Sequence, residues 1–248
     1  MFINAIILFL AAALPALAML KSTSFSSKRL QLFLVFAGAY LFSVTIIHLI
    51  PDLFLSGENP FALGLYILIG FFLQKIIENF TSGVEHGHVH HHSSFSVTYL
   101  LIALSLHSFL EGSIMTDSIH SNHMPDTVYA HGSSPKILLG IVMHKIPAAV
   151  ALMALLLHRF PNKIQAYSIL LIFALASPLG LFTSEFLSHG NLLPKNYLII
   201  FFAIVAGSFL QISTTIFIES DPSHKLDWQR FSISVFGAIC AVIAQLFI

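Results

Sequence analysis

Two stretches of this chain place histidines and carboxylates where they can share an ion. His107-Ser108-Phe109-Leu110-Glu111-Gly112 lies in an apolar run, with His107 and Glu111 four residues apart. On a helix that spacing projects both side chains from one face. The next apolar run carries His144-Lys145-Ile146-Pro147. Its proline removes a backbone N–H, which frees a carbonyl one turn earlier and favours a kink. A histidine and a carboxylate on one helix, facing a histidine on the next, make a nitrogen and oxygen set suited to zinc. The same set suits iron(II), manganese, cobalt or cadmium. Ser108, Lys145 and His48 are further candidates to ligate the ion or line its site.

Other groups are placed to lead an ion toward or away from this set. His48-Leu49-Ile50-Pro51-Asp52 repeats the histidine and carboxylate spacing, and Asp52, Glu185 and Glu219 are candidate pathway residues. Glu78, one turn after Lys75, reads as half of an interfacial ion pair. A separate tract, Glu85-His86-Gly87-His88-Val89-His90-His91-His92, is avid for metal but has no fixed geometry. Its neutral imidazoles (His86, His88, His90, His91 and His92) are expected to bind zinc modestly and release it on protonation near a pKa of about 6.5.

The elements that carry these groups follow from composition. Of 248 residues 56% are hydrophobic and only 9% charged, whereas a soluble domain carries about 25% charged residues. The apolar residues fall in runs near the roughly 20 residues that cross a bilayer. Eight spans are predicted: Phe2–Leu20, Leu30–Leu55, Phe61–Phe80, Ser96–Met115, Ile137–Leu157, Ile164–Leu187, Tyr197–Ile218 and Phe231–Ile248. Met1-Phe2-Ile3-Asn4 lacks the basic start of a secretory signal, so the first run reads as a retained helix. The fold class expected is an all-α integral membrane bundle in one domain, residues 1–248. It has a histidine-rich inner loop over 81–95 and an outer loop over 117–135.

Orientation comes from the basic residues in the connections. With the N-terminus outside, the inner loops hold Lys21, Lys28, Arg29, Arg159, Lys163, Lys225 and Arg230, and the outer loops only Lys136 and Lys195. Both termini should therefore face the extracellular or lumenal side. The net charge is zero and no basic stripe is present, so nucleic acid is not an expected partner. A lone cysteine, Cys240, excludes an internal disulfide and a cysteine-type zinc site.

Taken in order along the chain, these motifs resemble the ZIP (Zrt-, Irt-like protein) family of metal transporters. The segment His107 to Gly112 is similar to that family's H-N-x-x-D-G signature, and His144-Lys145-Ile146-Pro147-Ala148-Ala149 to a divergent H-E-x-P-H-E. His48-Leu49-Ile50-Pro51-Asp52 is similar to H-x-x-P-E, and Ser177-Pro178-Leu179-Gly180 to a P-x-G turn. The resemblance implies an eight-helix bundle with its metal site between the fourth and fifth spans. Lys145 stands where the family usually has an acid, and Ala148 and Ala149 replace a second histidine and acid. A paired-metal centre is thereby put in question, and one metal with Lys145 as the second cation is the expectation.

The function expected is transport of a divalent metal ion, most naturally zinc, toward the cytosol. The metal is cargo, the bilayer is the other partner, and a homodimer is compatible with the sequence. A multi-pass protein of the cell membrane is expected before one of an organelle. One alternative is a metal-sensing, non-transporting relative, favoured by the altered fifth-span motif. Another is an intramembrane zinc hydrolase, disfavoured because the His-Glu-x-x-His signature is absent; no enzyme activity is expected.

Overall fold

A computed structural model describes residues 1–21, 27–81, 97–115, 133–189, 195–218 and 227–247. All regular structure among the described residues is helical, as required where a backbone in lipid must satisfy its own hydrogen bonds. Helix α1 is Phe2–Lys21, and α2 is Ser27–Val44. The chain continues through a π-helical turn, Thr45–Leu49, into the short α3, Ile50–Phe54. Then follow α4 Pro60–Thr81, α5 Val97–Ser113, α6 Ser133–Arg159, α7 Lys163–His189, α8 Lys195–Ile218 and α9 Trp228–Phe247.

Among the described residues seven spans are long and apolar enough to cross a membrane. The remaining helix, α5, has 17 described residues, close to the length that spans a bilayer core. These spans mark the chain as a multi-pass membrane protein. Its exposed surface is correspondingly apolar: Phe61, Leu65, Phe72 and Ile76 of α4 and Phe231, Phe236, Ile239 and Leu246 of α9 all face outward. The span containing α2 and α3, and helices α6 and α8, are buried over most of their length, while α4 and α9 are buried over less than a quarter.

The helices pack in two sets, joined where α2 meets α6 and α4 meets α5. Helix α7 packs on α5, α1 and α6, and α1 also packs on α6. In the other set α8 packs on α4 and α2, and α9 on α2. Each set has a seam built on facing glycines. A Cβ on Gly112 of α5 would strike the Ser177 carbonyl of α7, and one on Gly180 of α7 would strike the Phe109 carbonyl. Likewise a Cβ on Gly70 of α4 would meet the Ile204 carbonyl, and one on Gly207 of α8 the Ile67 carbonyl. In lipid there is little hydrophobic force between helices, so close backbone approach at small residues supplies much of the contact energy. The first set adds Ala12, Ala13 and Ala16 of α1, buried against Ala149, Leu152 and Leu156 of α6 and Ala166 and Leu170 of α7.

Proline is absorbed in two ways. Pro147 and Pro178 lie inside α6 and α7, which stay helical on both sides. The Ser177 to Gly180 segment is thus helix rather than a turn. Pro51 instead follows the π turn, where the Ile50 N–H donates to the Thr45 carbonyl five residues back. The wider turn inserts an extra residue where the proline ring would crowd the preceding turn.

Candidate metal centre

Helix α5 presents His107 and Glu111 at the four-residue spacing, and their side chains meet: His107 Nε2 lies 3.1 Å from Glu111 Oε1. Helix α6 brings His144 to the same place, its ring 6.0 Å from that of His107 between centroids and nearly perpendicular to it. One ligand atom from each of His107, Glu111 and His144 lies within 4.8 Å of the other two. All three side chains are buried. Two imidazole nitrogens and a carboxylate oxygen gathered this closely are a donor set that can hold a metal ion.

The other oxygen of Glu111 is occupied. Lys145 Nζ donates to Glu111 Oε2 at 3.0 Å, to Ser177 Oγ at 2.6 Å and to Ser108 Oγ. Its ammonium also sits 4.9 Å from the centroid of the Phe173 ring, a favourable cation–π distance. Lys145 is only 1% exposed, so it does not reach for the membrane surface as a lysine near a helix end would. Glu111 is thereby divided, with one oxygen toward the histidines and one toward an ammonium.

Ser177 ties the arrangement to α7. Its hydroxyl donates to the Ser108 carbonyl at 2.7 Å and lies 2.9 Å from Ser108 Oγ, while Ser108 Oγ is 3.3 Å from the Phe173 carbonyl. The contact is available because Gly112 and Gly180 let α5 and α7 close on each other. In the sequence Ser177 stands out only for its neighbouring proline and glycine, and its contact with Lys145 is not legible there. Its position four residues from Phe173, on one face of α7, is the one signal that was available. By contrast, α5 and α6 barely approach at the backbone, and polar side chains span the space between them.

The remaining candidates fall elsewhere. His48 does not join the three-residue group. It lies within the π turn of the α2–α3 span, with Nδ1 3.7 Å from Asp52 Oδ2 and 3.5 Å from Gln245 Nε2 of α9. Asp52 is exposed, and Glu185 is half-buried on α7. Glu219 and the loop histidines His86, His88, His90, His91 and His92 lie outside the described residues. Compared with known proteins, the chain matches no family model and no curated protein.

Proposed function

We propose that this protein is a divalent metal transporter of the ZIP type, rather than an enzyme, carrying zinc or a similar ion toward the cytosol. The observation that carries the reading is the buried group His107, Glu111 and His144, set across two helices of an apolar bundle. Ionisable groups at such depth are expensive and are characteristic of ion pathways. In this reading eight spans cross the cell membrane, with both termini outside. The ion reaches the centre past Asp52 and His48, and leaves toward Glu219 and the histidine-rich loop.

At the centre His107, His144 and Glu111 Oε1 replace water around the ion. Glu111 Oε2 stays with Lys145, which contributes one positive charge where a second metal would need further carboxylates. The site therefore takes one metal. Zinc uptake into proteoliposomes tests the proposal: wild type should give saturable uptake, and His107→Ala with His144→Ala should reduce it to the level of empty vesicles. Uptake unchanged by that double substitution would refute it.

The Lys145–Glu111 ion pair favours one second reading, a metal sensor without transport, because the ammonium already compensates the carboxylate. A wild-type protein that binds zinc through His107 and His144 yet passes none across the vesicle membrane would establish that reading instead.

A further inference from the structure

A second polar group is buried away from the metal centre, on the seam between α4 and α8. Residues Gly70, Gln74 and Glu78 follow one another at four-residue intervals on α4, as Gly207, Gln211 and Thr215 do on α8. Each row therefore forms a stripe along one helix face. Close approach at the two glycines brings the stripes together. Glu78 Oε2 accepts from Gln211 Nε2 at 2.6 Å, and Thr215 Oγ1 lies 3.5 Å away. Gln211 Nε2 also donates to Thr215 Oγ1 at 2.8 Å. From the rim Lys75 Nζ reaches the same carboxylate oxygen at 2.9 Å, although its own side chain is 53% exposed against 7% for Glu78.

Two carboxamides at this seam have unmet hydrogen-bonding capacity. Both polar atoms of Gln74, which is fully buried, lack a hydrogen-bond partner, as does Gln211 Oε1. Buried carboxamide oxygens are normally satisfied, and exceptions call for a ligand or an ordered water. The donor set here is one carboxylate, two carboxamide oxygens and one hydroxyl, with no histidine or cysteine. Oxygen-only donors select hard cations over zinc-like ions. A single carboxylate matches a single positive charge, since a divalent ion in so dry a place would need more than one.

We propose that Gln74, Glu78, Gln211 and Thr215 form a site for a hard monovalent cation of the alkali type, distinct from the zinc-type centre. Lys75 is its placeholder: its exposed, flexible stem lets the ammonium leave Glu78 for the aqueous rim when the cation arrives. The cation then takes the carboxylate and the two amide oxygens together. Nothing in this inference depends on whether zinc is transported.

The test uses the full-length protein in nanodiscs. Thermal melting is followed in sodium, potassium or N-methyl-D-glucamine chloride at constant ionic strength, with equilibrium binding of radioactive sodium alongside. Wild type should be stabilised saturably by sodium or potassium relative to N-methyl-D-glucamine, and the two salt arms identify which ion the site prefers. Glu78→Gln and Gln74→Met should each weaken the effect at least tenfold, whereas Lys75→Gln should strengthen it severalfold by removing the competing ammonium. His107→Ala with His144→Ala should leave it intact. If Glu78→Gln fails to fold, Gln74→Met and Lys75→Gln still decide the matter, the first substituting a side chain of similar length and the second altering only the rim. Equal melting in all three salts with no saturable sodium binding would overturn the proposal and leave water as the occupant. So would binding that survives Gln74→Met unchanged or disappears with the two histidines.

Discussion

Replacing Lys145 with methionine keeps most of the length of the side chain and removes its charge. In the metal-free protein this leaves Glu111, 1% exposed, without the ammonium 3.0 Å away. Breaking a buried ion pair from one side costs about 3–5 kcal/mol, because the surviving charge is left uncompensated. For a chain of this length each kcal/mol shifts the melting temperature by about 2–4 °C. Lys145→Met in the presence of chelator should therefore melt about 10 °C below wild type. Zinc supplies the missing positive charge, so it should rescue the variant more than it stabilises wild type.

The affinity should move the other way. A metal on Glu111 Oε1 sits roughly 5 Å from the Lys145 ammonium, where two charges facing one repel by several kcal/mol at an effective dielectric near 20. Losing that repulsion, and starting from a destabilised empty site, should tighten zinc by at least about 100-fold, or ~2.7 kcal/mol. Calorimetric titration in detergent would read the affinity, and maximal uptake should fall as release slows. The control is Lys145→Met combined with Glu111→Gln. Removing both charges together should restore melting to within a few degrees of wild type, while zinc binding is lost. Equal zinc affinity in wild type and Lys145→Met would refute the reasoning, as would a double variant no more stable than the single one.

Three further outcomes are expected. Gly112→Ala drives a Cβ into the Ser177 carbonyl and should cost about 1–3 kcal/mol or more, whereas Gly64→Ala, with nothing within 4 Å of the added atom, should be neutral by chemical denaturation. Deleting Glu85 through His92 should leave expression and melting unchanged and reduce uptake without abolishing it, since the proposed ligands lie on α5 and α6; complete loss of uptake at normal expression would misplace the site. Single cysteines at Asn59 and Ser121 should label from outside intact cells and one at Ser93 only after the membrane is opened, and labelling of Ser93 from outside would reverse the orientation.

How much of this was readable in the sequence depends on what each element has to satisfy. The spans were plain because lipid demands about 20 apolar residues in a row, and the charged and histidine residues inside them stood out against that background. His107 and Glu111 follow directly from four-residue spacing on one helix. That His144 joins them is a tertiary fact, supported in the sequence only by the shared chemistry of the ligands. Lys145 as a second cation at the site follows from the missing acid on the fifth span, but Ser177 does not, because a serine on another helix carries no charge signal. His48 was expected near the ion because its spacing to Asp52 repeats that of His107 to Glu111. The π turn at Thr45–Leu49 and the position of the α2–α3 span instead bring it to Asp52 and Gln245. The α4–α8 seam was read only as the pair Lys75 and Glu78. Gln74 and Gln211 are neutral, and their importance rests on two helices closing at Gly70 and Gly207, which no local pattern on either helix reveals.

The seams also indicate which contact can change when an ion binds. Helices α5 and α7 are locked by reciprocal glycine contacts and by the Ser108–Ser177 hydroxyl pair. Any relative slide would push a Cα into a carbonyl. Helix α6 meets α5 differently, through His144 and Lys145 reaching across to His107, Glu111 and Ser108. Side-chain bridges of this kind can exchange partners with modest backbone movement, whereas a close-packed glycine seam cannot. In the proposed transport reading, binding of an ion would act on the α5–α6 gap, drawing His144 toward the His107 and Glu111 pair while α7 holds α5 in place. The same geometry explains why Lys145 is tethered at three points. An ammonium fixed by Ser108, Ser177 and Glu111 holds α6 at a set distance from the α5–α7 pair, which in the proposed reading would keep His144 from closing on His107 and Glu111 before an ion arrives.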